Sequence, residues 1–219
     1  MRRDRDGPGD DLTKLRSGVV DPPVLSFVLE SLPPPPARVL EVGAGDGALA
    51  DELASAGYDV VAIDPEPGGP TVQPIALREL SAPPGSFDAS VAVLSLHHIE
   101  PLGESINRLA TLVRSGGTLV VDEFDLERLD AAAARWWLDE RGDPRSPEEV
   151  IAHLRHHCHP LDTVRTALEE WFELSVPHRG PYLYRWDIEP ALRDEEERLI
   201  AAGALPATGV RFVGTRRER

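Results

Sequence analysis

The hydrophobic pattern of the 219-residue chain changes period repeatedly along its length. Residues 21–32, "DPPVLSFVLESL", carry Val24, Leu25, Val28 and Leu32 at helical spacing. Asp21 stands ready as a cap, prolines occupy the first turn, and the run "PPPP" at 33–36 stops the helix. Next come "RVLEVG" as a short buried strand, "DGALADELASAG" as a helix closed by Gly57, and "DVVAID" as a second strand. Such a strand-helix-strand unit predicts parallel strands joined by a right-handed crossover. "TVQPIA" is a weak third strand. "SFDASVAVLSL" is a fourth, apolar from Ala89 to Leu94 except at Ser90, as suits a strand buried on both faces. "GESINRLATLVRSGG" predicts an amphipathic helix running to Gly116 and Gly117, followed by "TLVVDEF" as a fifth strand.

Residues 125–170 read mainly as helix, with breaks at "RGDPRSP" and "HPLD". "FELSVPHR" and "TGVRFVGTRR" predict two more strands, separated by the helix "PALRDEEERLIAAG". Residues 1–11 are charged and rich in Gly and Asp, so they are expected to form a disordered arm, with order beginning near Leu12. One domain over 12–219 is expected, with 125–170 as a helical insertion or lid.

Composition narrows the possible partners. A formal net charge of -15 opposes unassisted binding to nucleic acid or an anionic membrane surface, so small molecules are the expected partners. The oligomeric state is not legible. A lone cysteine, Cys158, forms no internal disulfide. The first residues lack the apolar core of a secretory signal, and no apolar run approaches the roughly 20 residues that span a bilayer. The expectation is a soluble, cytoplasmic protein.

The chemistry concentrates in "EVGAGDGALA". In an open parallel sheet the ligand lies beyond the carboxyl ends of the strands, and Gly43 and Gly45 let the backbone turn sharply there without a β-carbon in the way. Gly43, Gly45 and Ala48 also satisfy the looser dinucleotide pattern, so the turn alone leaves NAD open. Asp64 ends the second strand, where a carboxylate can accept hydrogen bonds from both hydroxyls of a ribose. Glycine turn and acid together imply a ribose-bearing cofactor.

"VLEVGAGDG", "AIDPE", "GSFDASVAVLSLHHIEP" and "LVRSGGTLVVDEF" stand in the order and at the spacing of class I S-adenosylmethionine-dependent methyltransferases, which residues 37–124 therefore resemble. The resemblance implies an α/β fold: a Rossmann-like three-layer sandwich around a mostly parallel seven-stranded sheet with an antiparallel last strand, and helical decoration between strands five and six. It implies S-adenosyl-L-methionine as cofactor and S-adenosyl-L-homocysteine as product. Glu41 matches the acid supporting the methionine end, and Gly43, Ala44 and Gly45 the turn beneath methionyl and ribose. Asp64 matches the ribose ligand, Pro65 the neighbour packing on adenine, and Leu94 and Ser95 the backbone facing the methionyl group. Where many relatives carry an Asp for the adenine amino group this chain has Ala76, which shifts that contact to backbone near Leu77.

"LHHIEP" places His97 and His98 after the fourth strand, and His98 is the candidate proton acceptor. "HLRHHCHP" gathers His153, His156, His157, Cys158 and His159 but lacks the paired ligands of a tetrahedral zinc pattern, so no metal is expected. "RWW" and "YLYRW" offer Trp136, Trp137, Tyr182, Tyr184 and Arg185 for the acceptor. In an extended segment Tyr182, Tyr184 and Trp186 would share one face and Arg185 the other. The expected function is in-line methyl transfer to a small molecule. Its alternatives are an NAD-binding oxidoreductase and a non-catalytic protein that keeps the S-adenosylmethionine pocket.

Overall fold

The computed structural model describes residues 20–186 and 190–218; the arm expected over 1–11 and the onset of order near Leu12 lie outside them. In chain order the elements are α1 (Pro22–Ser31), β1 (Arg38–Val42), α2 (Ala48–Ser55), β2 (Asp59–Asp64), β3 (Gln73–Pro74), β4 (Phe87–Val93), α3 (Leu102–Leu112) and β5 (Val113–Phe124). They continue as α4 (Ala131–Arg141), α5 (Pro147–His157), α6 (Leu161–Glu169), β6 (Phe172–Leu174), β7 (His178–Gly180), α7 (Arg193–Ala201) and β8 (Gly209–Arg216).

The sheet runs β3-β2-β1-β4-β5-β8-β6, with β7 also paired to β8. Strands β1 to β5 are parallel; β8 runs antiparallel to β5, and β6 and β7 run antiparallel to β8. β6 meets the end of β8 and β7 its beginning, so together they form the single sixth strand that "FELSVPHR" predicts. The interruption at Ser175 to Pro177 has a local cause. Pro177 has no N–H for the ladder, and the Ser175 hydroxyl accepts the Val213 N–H instead (3.0 Å). Seven strand positions are thus filled, the mixed sheet implied by the resemblance.

Alternation along the central strands sorts the core into two layers. Leu40, Val42, Ala92, Leu119 and Val121 face α3 and α6. Val39, Ala89, Val91 and Val120 face α1 and α2. A further cluster lies past β5, where Phe124 and Leu126 meet α4, α5 and the segment 182–186.

Four local expectations are corrected. Asp21 makes no side-chain cap to α1; its carboxylate accepts the Tyr184 hydroxyl (2.6 Å). Helix α3 stops at Leu112 because Val113 already pairs with Phe87, and the "RSGG" segment becomes an irregular start to β5. A β-carbon on Gly117 would lie 2.8 Å from the Asp88 carbonyl oxygen, which makes glycine the residue that fits there. The weak third strand shrinks to two residues, Gln73 and Pro74, the second of which has no N–H to donate to a ladder. Residues 183–185 form a 3-10 turn rather than an extended segment, so Tyr182, Leu183, Tyr184 and Trp186 are all buried instead of alternating between faces.

Glu196 on α7 imposes that turn. Its carboxylate, 0% exposed, accepts the backbone N–H groups of Tyr182 (2.8 Å), Leu183 (3.0 Å) and Tyr184 (2.9 Å). Removing it orphans three buried donors, each costly to leave unpaired. Glu196→Ala is therefore expected to destabilise the protein by about 3 kcal/mol in urea denaturation. Glu195→Ala, which removes only a surface ion pair to Arg198, should stay within about 0.5 kcal/mol.

Candidate active site at the carboxyl ends of β1 and β4

The chain leaves β1 toward β2 on one side and later returns through β4 on the other, so the sheet's order switches at the ends of β1 and β4. There the glycine turn is held on several sides. Gly43 and Ala44 donate to the Ile63 carbonyl (2.9 and 3.0 Å), and Gly45 donates to Asp64 Oδ2 (3.0 Å) while Glu66 N–H donates to Oδ1 (2.8 Å). Each Asp64 oxygen keeps further lone pairs for a ligand. Gly43 is demanded twice: its φ is +71°, and a β-carbon there would sit 2.3 Å from that of Ser95. The two strand ends could not approach so closely with any other residue.

Glu41 and Ser95 stand on either side of this approach. Glu41 is 4% exposed; its Oε2, and the Ser95 hydroxyl, have no hydrogen-bond partner among the described residues. Burial, reinforced by Asp46, Asp51 and Asp64, pushes the Glu41 carboxyl up to about 8. An unpartnered buried acid among three other acids is arranged to receive a cationic group. Asp64, the turn and Glu41 thus form one cradle with an anionic field. Pro65 is exposed beside it. The Leu77 side chain is buried in the core, while the neighbouring Ile75 N–H donates to the Asp64 carbonyl (3.2 Å), which keeps the segment next to Asp64. Leu94 has φ +52°, a strained value for a branched side chain, and its N–H donates to the Asp122 carbonyl (2.8 Å).

Sequence reasoning missed Glu123. This carboxylate, 1% exposed on β5, accepts from Ser95 N–H (3.0 Å), Leu96 N–H (2.7 Å) and Phe124 N–H (3.3 Å), and its Oε2 lies 2.6 Å from His97 Nδ1. Two acids in the otherwise apolar run "TLVVDEF" were the available signal. His97 is buried; the expected proton acceptor His98 is exposed, with Nδ1 3.2 Å from the His157 carbonyl. Cys158 is buried, and burial followed by the Glu123 charge pushes its thiol up to about 12.

The five acceptor candidates come together past β5. Trp137 donates to the Trp186 carbonyl (2.8 Å), Tyr182 stacks on Phe124 (4.8 Å between centroids), and Tyr184 reaches Asp21. Arg185 Nη1 lies 2.6 Å from one oxygen of Asp122, whose other oxygen meets Arg211 Nε at 2.6 Å. Trp137, Tyr182 and Tyr184 are buried in packing, and Trp136 alone among the four rings is half-buried. A cavity of about 90 Å³ opens beside Asp122, Tyr184, Arg185 and Arg211.

Comparison with known proteins identifies the family. Residues 20–175 match the methyltransferase domain family, to which the chain belongs. It is 34% identical over 146 residues to a ubiquinone biosynthesis O-methyltransferase of Xanthomonas campestris, covering 60% of this chain and 58% of that relative. It is 29% identical over 192 residues to a demethylmenaquinone methyltransferase of Beutenbergia cavernae, covering 83% and 69%. Among solved structures, a methyltransferase of an antibiotic biosynthesis pathway from Anabaena variabilis superposes with a TM-score of 0.63 at 20% identity, over 90% of this chain and 98% of that one. The chain thus spans about 58% of the quinone-pathway relative's length. The cofactor of this family is S-adenosylmethionine, which carries an ammonium, a sulfonium and a ribose.

Because the folded Glu41 pKa lies above the ordinary 4.5, the unfolded chain loses this proton first as pH rises. Stability of the ligand-free protein should fall from about pH 4.5 to about pH 8 and then level, by up to about 5 kcal/mol from this group. Glu41→Gln should flatten that slope in pH-dependent urea denaturation and be the more stable protein at pH 8.

Proposed function

We propose that this protein transfers a methyl group from S-adenosylmethionine to a small-molecule acceptor. The observation that carries the reading is the cradle itself: an unpartnered buried Glu41 and an Asp64 that grips the glycine turn, in a field of acids. When bound, the cofactor supplies an electrophilic methyl group on a sulfonium. The chain's residues bind and orient. Glu41 receives the ammonium end, the 43–45 backbone lies beneath the chain joining it to the ribose, and Asp64 takes the ribose hydroxyls, with Pro65 and the backbone near Leu77 beside the adenine. Leu94 and Ser95 border the transferred group. Orientation of this kind can supply roughly 7 to 11 kcal/mol of a bimolecular barrier.

The acceptor side is framed by the end of β4 and by the cluster of α4, α5 and 182–186, with Trp136 as its half-buried ring. Trp137, Tyr182, Tyr184 and Arg185 shape that wall from within. Two relatives named for quinone pathways support a hydroxylated aromatic acceptor, and the net charge of -15 supports one that is neither nucleic acid nor an anionic membrane. A lone buried thiol fits a reducing, cytoplasmic setting. Among the described residues no helix is long and apolar enough to cross a membrane.

S-adenosylhomocysteine at about 100 times its dissociation constant should stabilise the protein by roughly 2.7 kcal/mol, read as a raised melting temperature. NAD should give no shift; the opposite pattern would refute the reading. Asp64→Ala should weaken S-adenosylhomocysteine at least about tenfold, worth about 1.4 kcal/mol, in calorimetry.

Labelled S-adenosylmethionine offered with a panel of hydroxylated quinols tests the acceptor side. Trp136→Ala should lower turnover at least about tenfold while cofactor affinity stays within about threefold, a difference near 0.7 kcal/mol. Unchanged turnover would remove Trp136 from the acceptor wall.

A further inference from the structure

Six of the seven histidines and the only cysteine fall in two short segments, 97–98 and 153–159, far apart in sequence. The fold presses these segments together. The His159 N–H donates to the His97 carbonyl (2.8 Å), and His98 Nδ1 meets the His157 carbonyl. His157 packs against His153 and meets His156 edge-on along α5, with His156 and His157 exposed, and His159 turns to the Ile99 carbonyl (3.1 Å) and Glu100 (3.0 Å). Cys158 points the other way. Its sulfur lies 4.0 Å from both ring nitrogens of His98, and ligand atoms of His97, His98 and Cys158 all lie within 4.8 Å of one another.

We propose that His97, His98 and Cys158 bind a divalent cation of the zinc type. Two imidazoles and a thiolate suit a borderline-soft ion, and three protein ligands leave a fourth position open. Both histidines are pinned by the nitrogen that would not bind. The Nδ1 of His97 faces Glu123, and that of His98 faces a carbonyl oxygen, which only accepts. In the neutral rings both Nδ1 atoms therefore donate, and both Nε2 atoms carry the lone pair a metal needs. A carboxylate behind a histidine ligand is the usual second partner in zinc sites, where it fixes the tautomer and raises ligand basicity. Charge also closes: the ion's two positive charges meet one thiolate and the buried Glu123 carboxylate, while the thiol proton leaves to solvent.

Bond lengths of about 2.0 to 2.1 Å to nitrogen and about 2.3 Å to sulfur require the ligand atoms to draw in from their present spread. The exposed His98 ring is the one with room to move. The expectation of no metal came from residue spacing within 153–159, which holds only one of these three ligands. The site does not depend on the methyl-transfer reading.

The test uses the full chain, stripped with a chelator and mixed with one equivalent of Co²⁺. A near-ultraviolet thiolate-to-cobalt charge-transfer band, four-coordinate visible bands and displacement of both by Zn²⁺ are expected. Cys158→Ser should abolish the charge-transfer band. His98→Ala, at an exposed position and with folding checked by its urea midpoint, should weaken Zn²⁺ at least about tenfold. His153→Ala and His156→Ala should change neither. No stoichiometric uptake would overturn the proposal, as would a charge-transfer band that survives Cys158→Ser. Loss of binding in His153→Ala with retention in His98→Ala would place the ion on the surface of α5 and overturn it equally. S-adenosylhomocysteine binding, measured on the same samples, separates this failure from failure of the methyltransferase reading.

Discussion

The Glu123 carboxylate ties together parts of the molecule that are distant in sequence. It is a buried negative charge, tolerable only because three N–H groups and a histidine surround it. Two of those N–H groups belong to Ser95 and Leu96, so the conformation of the chain leaving β4 is set from β5. That conformation brings Ser95 against Gly43, where there is room for a hydrogen but not for a methyl group. The glycine turn, the β4 exit and the histidines beyond it are thus positioned by one side chain.

The field around the glycine turn suits a cationic group better than a pyrophosphate. A pyrophosphate bound at a helix N-terminus needs donors and a positive potential. Here Asp46 occupies the donor of Ala48 at the start of α2 (3.1 Å), and Asp51 lies in its first turn. With Glu41 and Asp64 they make a site that repels phosphate and holds Glu41 protonated near neutral pH until a cation arrives. Cofactor charge and site charge are complementary.

Past β5 the same economy of buried charge recurs. Asp122 is shared by Arg185 and Arg211, and Glu196 holds three successive N–H groups of the 182–184 segment. These anchors are why side chains that pattern alone would place on an aromatic wall are mostly packed inside. An aromatic-filled block then backs the half-buried Trp136.

What the sequence determined by itself rests on short-range regularity. Apolar runs identified β1, β2, β4 and β5, helical spacing identified the helices, and the glycine turn with Asp64 marked the candidate site, because these signals arise from contacts a few residues apart or from backbone limits at glycine and proline. Residues 97 and 98 were noticed, but not their partners. The pairing of Glu123 with His97, the approach of Cys158 to His98, the capture of Arg185 by Asp122 and the 3-10 turn at 183–185 were decided by tertiary structure alone. Each joins side chains or backbone 12 to 63 positions apart, and no local periodicity records which buried charge will meet which donor once the sheet has closed.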